Sequence, residues 1–212
     1  MYKRQELAEV QPTKAVETAF SRVGPSNVAK YLFTSGSTGM PKGVINTQGM
    51  LCANMQQLRQ IWPFLLEDPP ILLDWLPWNH TFGGNIVINN ALANGGTLYI
   101  DGGKPAPGLI AQTIENIHLA SPSLYYNVPA GFAALLPFLE EDEQLRECFF
   151  RQLDLIFYAG AALPQDLWDR LAAVSMQTIG RAVPMVSAWG STETAPMAAA
   201  VHWHIARAGV VG

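Results

Sequence analysis

Short apolar runs alternate along the chain with longer segments that carry apolar residues at helical spacing. Within 109–120, Ile110, Ile114 and Ile117 fall on one face of a helix. The short runs predict strands at 28–33, 71–76, 97–100, 123–128, 153–159 and 185–189. The longer segments predict helices at 47–61, with Thr47 as N-cap, and at 82–92, 109–120, 129–140 and 164–175. Because the two kinds of element alternate, the pattern predicts an α/β fold class, a mainly parallel sheet flanked by helices.

The segments outside this alternation are short. Residues 1–27 show weak periodicity and end in a Gly-Pro-Ser-Asn turn, so we expect a lead-in segment before the core. The strand at 28–33 is expected to be short and buried, with a loop at 34–43 after it. The Gly- and Pro-rich stretch 101–108 suits a surface loop, and the acidic run 140–143 suits a solvated helix end or connection.

The charge of the chain narrows the class of partner. The 212 residues include 13 Lys and Arg against 17 Asp and Glu, which gives a formal net charge of −4. Nucleic acid and anionic membrane surfaces are not expected partners, because phosphate contacts need clustered cations and the chain has no such cluster. Only 14% of residues are charged, against roughly 25% in ordinary soluble domains, which suggests a piece of a larger protein.

Neither a membrane span nor a secretory signal is predicted. The longest charge-free run, 75–100, is interrupted by Pro77, His80, Gly pairs and several Asn, which a spanning helix does not carry through hydrocarbon. The first residues contain no apolar signal region, and Cys52 and Cys148 lie far apart without metal-binding spacing. We therefore expect a cytoplasmic protein with two reduced thiols.

The chemically most informative segment is Thr34-Ser35-Gly36-Ser37-Thr38-Gly39-Met40-Pro41-Lys42-Gly43, directly after a predicted strand. Small residues let backbone N–H groups turn toward an anion, hydroxyls add donors, and Lys42 supplies positive charge, which together suit a polyphosphate. The segment is not a Walker A motif, because Pro41 precedes Lys42 and Gly43 follows it. A flexible Gly/Ser turn explains the glycines but not the whole run, so we interpret the segment as a phosphate loop.

This phosphate loop and three later segments resemble, in order, the signatures of the adenylate-forming (AMP-binding) superfamily of acyl-CoA synthetases, adenylation domains and luciferases. Leu76-Pro77-Trp78-Asn79-His80-Thr81-Phe82-Gly83 resembles its Pro-x-x-His-x-x-Gly region. Tyr158-Ala159-Gly160-Ala161-Ala162-Leu163-Pro164 resembles its adenine-side loop, and Ser187-Ala188-Trp189-Gly190-Ser191-Thr192-Glu193 resembles its aromatic-Gly-x-Thr-Glu signature. In detail, 74–85 and 99–105 are most similar to feruloyl-CoA synthetases, which act on hydroxycinnamic acids.

The resemblance implies a role for each motif. The residues implied to bind the nucleotide are Thr34, Ser35, Gly36, Ser37, Thr38, Gly39, Lys42, Gly160, Ala161, Ala162, Trp189, Gly190, Ser191 and Thr192. The catalytic residues implied are Lys42, His80, Thr192 and Glu193, and Glu193 is also the implied ligand of Mg²⁺. Trp189 stands where the family usually has Tyr, so it can stack on adenine but has no hydroxyl.

For several of these residues a simpler interpretation is also open. Glu193 suits an ordinary glutamate at a helix N-terminus, and a histidine between aromatic neighbours, as His80 is, more often packs in a core. The resemblance instead puts His80 between the acid pocket and the thiol-entry tunnel. His202 and His204 have the spacing of metal ligands on a strand, but no third ligand accompanies them.

The activity implied is that of a carboxylic acid–CoA ligase, which uses ATP, Mg²⁺ and CoA to activate an aromatic, feruloyl-type acid through an acyl-adenylate. Family members continue with a ribose-binding aspartate and a mobile C-terminal domain carrying a catalytic lysine, whereas the last Asp and Lys here are Asp169 and Lys104. We therefore expect residues 1–212 to be the central part of a large N-terminal domain, inactive without its own C-terminal domain; a homodimer is possible. The alternatives are a ligase for benzoate, a fatty acid or an amino acid, and a non-catalytic nucleotide-binding module.

Overall fold

The computed structural model describes residues 9–35 and 39–212. The strands are β1 (Val28–Thr34), β2 (Lys42–Thr47), β3 (Ile71–Asp74), β4 (Thr97–Ile100), β5 (Leu124–Asn127), β6 (Leu155–Tyr158), β7 (Met185–Gly190) and β8 (Met197–Ala200). The α-helices are α1 (Lys14–Phe20), α2 (Gln48–Ile61), α3 (Ile88–Ala93), α4 (Ile110–Ala120), α5 (Pro129–Glu141), α6 (Glu143–Phe150) and α7 (Gln165–Ile179). A π-helix covers Phe82–Val87, and 3-10 helices cover Pro63–Leu66 and Thr192–Thr194.

A six-stranded sheet in the order β4-β3-β5-β6-β7-β8 forms the centre of the molecule. Its first five strands are parallel, and β8 pairs antiparallel with β7. The crossovers between the parallel strands run through helices, as right-handed βαβ connections require. The predicted α/β class with a mainly parallel sheet is therefore confirmed.

Alternate residues of the central strands enter two separate apolar clusters, one on each face of the sheet. On β5, Tyr125 packs with α4 to α7, whereas Leu124 and Tyr126 pack with α2, the π-helix and α3. Strands buried on both faces in this way read as continuous apolar runs, which is why they were predictable. Within the described ranges, no helix combines the length and apolarity needed to cross a membrane.

The region before β3 departs from the prediction. The strand expected to be buried at 28–33 has only Leu32 buried, and half of its residues are exposed, with Tyr31 60% and Phe33 73% accessible. The loop expected at 34–43 is shorter, because Lys42 already begins β2, which pairs antiparallel with β1 in a separate two-stranded sheet. A two-stranded sheet has only one face available to the core, and its apolar residues on the other face stay in solvent.

The helix predicted at 82–92 begins instead as a π-helix and becomes α-helical at Ile88. Gly83 and Gly84 explain the local packing, since a Cβ on either would overlap backbone carbonyl oxygens of the preceding segment 76–78. Strand β8 and helices α1 and α6 were not predicted. The acidic run 140–143 is the solvated junction of α5 and α6, where the Asp142 side chain accepts from the Leu145 N–H at 3.0 Å.

Candidate active site

A cavity of about 390 Å³ lies at the carboxyl ends of β6 and β7. The carboxyl ends of parallel strands meet at one edge of a sheet, which is where ligands bind in open α/β folds. Segments far apart in the sequence supply its walls. The predicted site residues that line it are Thr34, His80, Gly160, Trp189, Gly190, Ser191, Thr192 and Glu193. Each of the four motifs thus contributes at least one residue to the same cavity.

The remaining predicted site residues lie outside this lining or outside the described residues. Ser35, Gly39, Ala161 and Ala162 are exposed nearby in sequence but do not line the cavity. Gly36, Ser37 and Thr38 fall outside residues 9–35 and 39–212. The structure therefore brings together the ends of the phosphate loop and the Thr-Glu motif, and leaves the roles of the loop residues as predictions.

Lys42 also lies outside the lining, yet it is directed to the same side of the molecule. It is the first residue of β2 and pairs in the ladder with Thr34, which does line the cavity. Its positive charge also contributes to the low pKa of Glu193. The two ends of the phosphate loop are therefore joined at the cavity, with the cation on the side of the Glu193 carboxylate.

Glu193 lies in the 3-10 turn that follows β7. The turn is closed by its own bonds, since the Ser191 N–H donates to Thr194 Oγ1 at 2.9 Å and the Thr194 N–H donates to the Ser191 carbonyl at 3.1 Å. Hydrogen bonds from its own backbone N–H and from the Ser191 side chain hold the pKa of Glu193 below its usual range. Its local position is that of a glutamate in a first helical turn, but it also presents an ionised carboxylate to the cavity.

That carboxylate fits a nucleotide-bound magnesium ion. Among the described residues, no group of three or more His, Cys, Asp or Glu side chains forms a metal cage. Mg²⁺ normally binds through one or two carboxylates together with substrate phosphates rather than in an all-protein cage. One exposed, ionised glutamate at the mouth of a cavity matches that donor set. His202 and His204 follow β8, and within residues 9–35 and 39–212 they belong to no group of three or more His, Cys, Asp or Glu side chains.

His80 is an exposed cavity residue and not a packed core histidine. Its Nδ1 accepts a hydrogen bond from the Phe82 N–H at 3.2 Å, and its own backbone N–H donates to the Pro77 carbonyl at 3.0 Å. With Nδ1 occupied as an acceptor, the proton of the neutral imidazole sits on Nε2. Among the described residues the Nε2–H of His80 has no hydrogen-bond partner, so it can donate to a ligand.

The inner part of the cavity is apolar and aromatic. Phe82, Ile86, Phe157, Ala188 and Met197 contribute to its lining. The Phe82 and Phe157 rings meet edge to face with centroids 5.6 Å apart, and both belong to the apolar cluster beneath the cavity. Packed rings of this kind form flat and rigid walls.

Three buried asparagines beside the cavity were missed by sequence reasoning. Asn46, Asn54 and Asn85 lie in β2, α2 and the π-helix and are at most 5% exposed. Lys30 supports the same region, because its Nζ donates to the Gly84 carbonyl at 2.8 Å, and burial lowers its pKa. A usable signal was present for Asn85 alone, since asparagines interrupt the charge-free run 75–100, whereas Asn46 and Asn54 lie outside that run.

Comparisons with known proteins identify the family of the chain. The family model "AMP-binding enzyme" matches residues 1–212. An acetyl-coenzyme A synthetase of Xylella fastidiosa (strain Temecula1 / ATCC 700964) is 27% identical over 189 residues, which cover 89% of this chain and 28% of that protein. A feruloyl-CoA synthase of Amycolatopsis sp is 28% identical over 174 residues, which cover 82% of this chain and 32% of that protein.

Solved structures show the same fold. A malonyl-CoA ligase in a ternary product complex with methylmalonyl-CoA and AMP matches with a TM-score of 0.72 and 27% identity, over 89% of this chain and 38% of that one. ATP-bound MatB from Rhodopseudomonas palustris matches with a TM-score of 0.66 and 25% identity, over 89% and 34%. The chain thus spans 28% to 38% of the length of these relatives.

Proposed function

Because the chain belongs to the AMP-binding enzyme family, we propose that it forms the nucleotide- and acid-binding core of a carboxylic acid–CoA ligase acting on an aromatic, hydroxycinnamic-type acid. The observation that carries this proposal is the meeting of Thr34, His80 and Glu193 in one cavity. A nucleotide and a carboxylic acid substrate that bind side by side need three kinds of group. These are an ionised carboxylate, a ring N–H and the end of a Ser/Thr/Gly loop.

The proposed reaction has two steps. A carboxylate oxygen of the acid attacks the α-phosphorus of ATP, which forms the acyl-adenylate and releases pyrophosphate. The CoA sulfur, after losing its proton, then attacks the acyl carbonyl carbon, forms the thioester and releases AMP. Adenylation is needed because a thiolate that attacked a free carboxylate would have to expel an oxide ion. AMP is a far better leaving group.

Four residues have proposed roles in the first step. Lys42 stabilises the negative charge that develops on the leaving pyrophosphate, and Thr192 donates to the new acyl phosphate. Glu193 would hold Mg²⁺, which supplies positive charge to the phosphates when bound. His80 donates from Nε2 to the carboxylate of the acid and so orients it for attack.

The aromatic preference rests on the apolar part of the cavity. Phe82 and Phe157 line it with flat faces and edges, which favour a planar ring over a flexible chain. The similarity to a feruloyl-CoA synthase supports this choice. The similarity to acetyl-CoA synthetases supports a small aliphatic acid as the competing substrate.

The test is a substrate comparison with the full protein that contains this chain. Ferulate, p-coumarate, acetate and octanoate are supplied with ATP, Mg²⁺ and CoA, and kcat/KM is measured by pyrophosphate release and by thioester formation. We expect ferulate or p-coumarate to give the highest kcat/KM. Faster turnover of acetate or octanoate rejects the hydroxycinnamate assignment, and no pyrophosphate release with any of the acids rejects the ligase.

A further inference from the structure

Two fully buried asparagines form a bridge between the His80 segment and the turn that carries Glu193. Asn85 of the π-helix donates from Nδ2 to Asn46 Oδ1 at 2.7 Å and to Thr81 Oγ1 at 2.8 Å. Asn46 of β2 in turn donates from Nδ2 to the Thr192 carbonyl at 3.1 Å. We call Asn46 and Asn85 the asparagine bridge. It connects the neighbour of His80 to the neighbour of Glu193 by three consecutive hydrogen bonds.

A third asparagine holds the far end of the same turn. Asn54 of α2 donates to the Thr194 carbonyl at 3.0 Å and accepts from the Met197 N–H at 3.0 Å. The turn itself is largely accessible, and its internal bonds close only a single turn. The Ser191 N–H also donates to the Pro196 carbonyl at 3.0 Å between β7 and β8. From outside this junction, the turn is held by the side chains of Asn46 and Asn54.

If the asparagine bridge served only to fill the core, it would lower the stability of the fold compared with apolar side chains. Asn46 and Asn85 are both 0% exposed, and Asn85 Oδ1 has no hydrogen-bond partner within residues 9–35 and 39–212. An unpaired buried amide oxygen costs stability, and a leucine of similar size would avoid that cost. Departures of this kind from good local packing are concentrated at functional sites.

We propose that Asn46 and Asn85 are positioning residues that set the distance between His80 and the Thr192–Glu193 pair. Asn46 and Asn85 do not line the cavity, whereas Thr81, to which Asn85 donates, does. The bridge therefore acts on ligands only through the groups it holds. This proposal rests on the proposed function, in which the acid carboxylate near His80 must meet the α-phosphorus near Thr192. A displacement of about 1 Å between two such groups lowers reaction rates up to about 100-fold.

The test compares two buried asparagines in the full protein. Asn85→Leu breaks the bridge, whereas Asn90→Leu removes an equally buried amide that donates to Tyr126 Oη at 2.6 Å and contacts neither end of the bridge. We expect Asn85→Leu to lower kcat of pyrophosphate release by about 10- to 100-fold, with KM for the acid little changed. Asn90→Leu should lower the melting temperature comparably but leave kcat near that of the wild type.

Combination with Glu193→Gln separates positioning from general damage. If the bridge acts by placing Glu193, the double variant Asn85→Leu/Glu193→Gln should be much less impaired than the product of the two single effects. The pair Asn90→Leu/Glu193→Gln should show multiplied effects. Multiplied effects for both pairs, or an equal loss of kcat in the two leucine variants, would overturn the proposal.

A milder pair of variants serves if Asn85→Leu does not fold. Thr81→Val keeps the shape of the side chain and removes the hydroxyl that accepts from Asn85, whereas Thr81→Ser keeps the hydroxyl. We expect kcat to fall for the valine variant and to be restored by serine. Equal rates for the two variants would contradict the proposal.

Hydrogen exchange tests the bridge without any activity. The amides of Thr194 and Ala195, which close the turn, should exchange faster in Asn85→Leu than in the wild type and should be unchanged in Asn90→Leu. Unchanged exchange in Asn85→Leu rejects the bridge. If no acid yields pyrophosphate, the proposed function fails by itself, and exchange still decides whether the bridge holds the turn.

Discussion

Two carboxylates at the same edge of the central sheet have opposite surroundings. Glu193, after β7, is exposed, and hydrogen bonds and Lys42 hold its pKa below the usual range. Asp74, the last residue of β3, is only 3% exposed, and neither of its oxygens has a hydrogen-bond partner among the described residues. Burial raises the pKa of Asp74 to about 7; the nearby Leu76 backbone N–H opposes this rise without forming a hydrogen bond of good geometry, and the charge of Asp101 adds to it.

The difference shows that the carboxyl edge of the sheet has one part that is open to solvent and another that is closed. Near β6 and β7 the edge is open, and its carboxylate keeps its charge for a ligand. Near β3 and β4 the edge is closed, and burial of the Asp74 carboxyl favours its neutral form. Position at the edge of a parallel sheet therefore identifies a candidate site residue only together with its exposure.

Glu193→Gln is expected to have the largest effect. Glutamine keeps the size and one oxygen of the side chain but removes the charge that would hold Mg²⁺ against the phosphates, so we expect pyrophosphate release to fall by about 1,000-fold. High Mg²⁺ should recover part of the rate, and the melting curve should change little because the side chain is exposed. A Mg²⁺ titration at saturating acid measures this; an unchanged rate at every concentration would exclude the ligand role.

Asp74→Asn should change the pH dependence of stability. Because the folded pKa, about 7, lies above the unfolded value, the stability that Asp74 contributes is complete below pH of about 4 and is lost as the pH rises to about 7. The asparagine variant does not titrate there. Between pH 4 and pH 8 the wild type should therefore lose on the order of 4 kcal/mol of unfolding free energy relative to the variant.

Urea unfolding of the wild type and Asp74→Asn across this pH range measures the effect. The difference between the two curves isolates Asp74 from the other titrating groups. If the unfolding free energies of the wild type and Asp74→Asn change in parallel from pH 4 to pH 8, Asp74 is charged in the folded protein over that range.

Asp101→Asn should have a smaller effect. Asp101 is buried but well paired, since it accepts from the Gly103 N–H at 2.8 Å, Thr113 Oγ1 at 2.6 Å and Asn116 Nδ2 at 2.8 Å. An amide in its place turns one acceptor into a donor, which should destabilise the fold by about 1–3 kcal/mol. Thermal unfolding measures this loss, and a melting temperature equal to that of the wild type would contradict the hydrogen bonding described.

Glu140→Gln is expected to have the smallest effect. It is the control for removing a negative charge at a position other than Glu193. Like Glu193, Glu140 has a lowered pKa, here because the Arg170 side chain donates to both of its oxygens at 2.9 and 2.6 Å. It lies at the end of α5, away from the cavity lining. We expect unchanged pyrophosphate release and a slight loss of stability that disappears in high salt, because exposed ion pairs are screened. A fall in rate here would make the Glu193 result non-specific.

Strands β3, β5 and β6 of the central sheet were predictable because they are buried on both faces and leave continuous apolar runs in the sequence, whereas the edge strand β4 is mostly exposed and β8 was not predicted. The four motifs were predictable as segments, and the parallel strand order then brings their ends to one edge. The β1–β2 pair was not predictable in this way. Its run from Val28 to Phe33 has the composition of a buried strand, and nothing local states that one face remains in solvent.

The other missed features depend on contacts between distant residues. The π-helix depends on Gly83 and Gly84 meeting backbone carbonyls of 76–78, and periodicity does not encode that approach. The asparagine bridge joins Asn46 to Asn85, which is 39 positions away in the sequence, and to Thr192, which is 146 positions away. Asparagine in an apolar run marks an irregularity, but only the tertiary structure identifies its partner.

The ladder pair Thr34–Lys42 at the base of the phosphate loop has an entropic consequence. Closing a chain segment onto itself reduces its conformational freedom, and here the two-stranded sheet closes the segment during folding. Thr47 extends this effect, because it ends β2 and its side chain also caps α2 by accepting from the Met50 N–H at 3.3 Å. The entropy of loop closure is thus already lost during folding. Under the proposed function, less of the binding free energy of the nucleotide is consumed in ordering the chain.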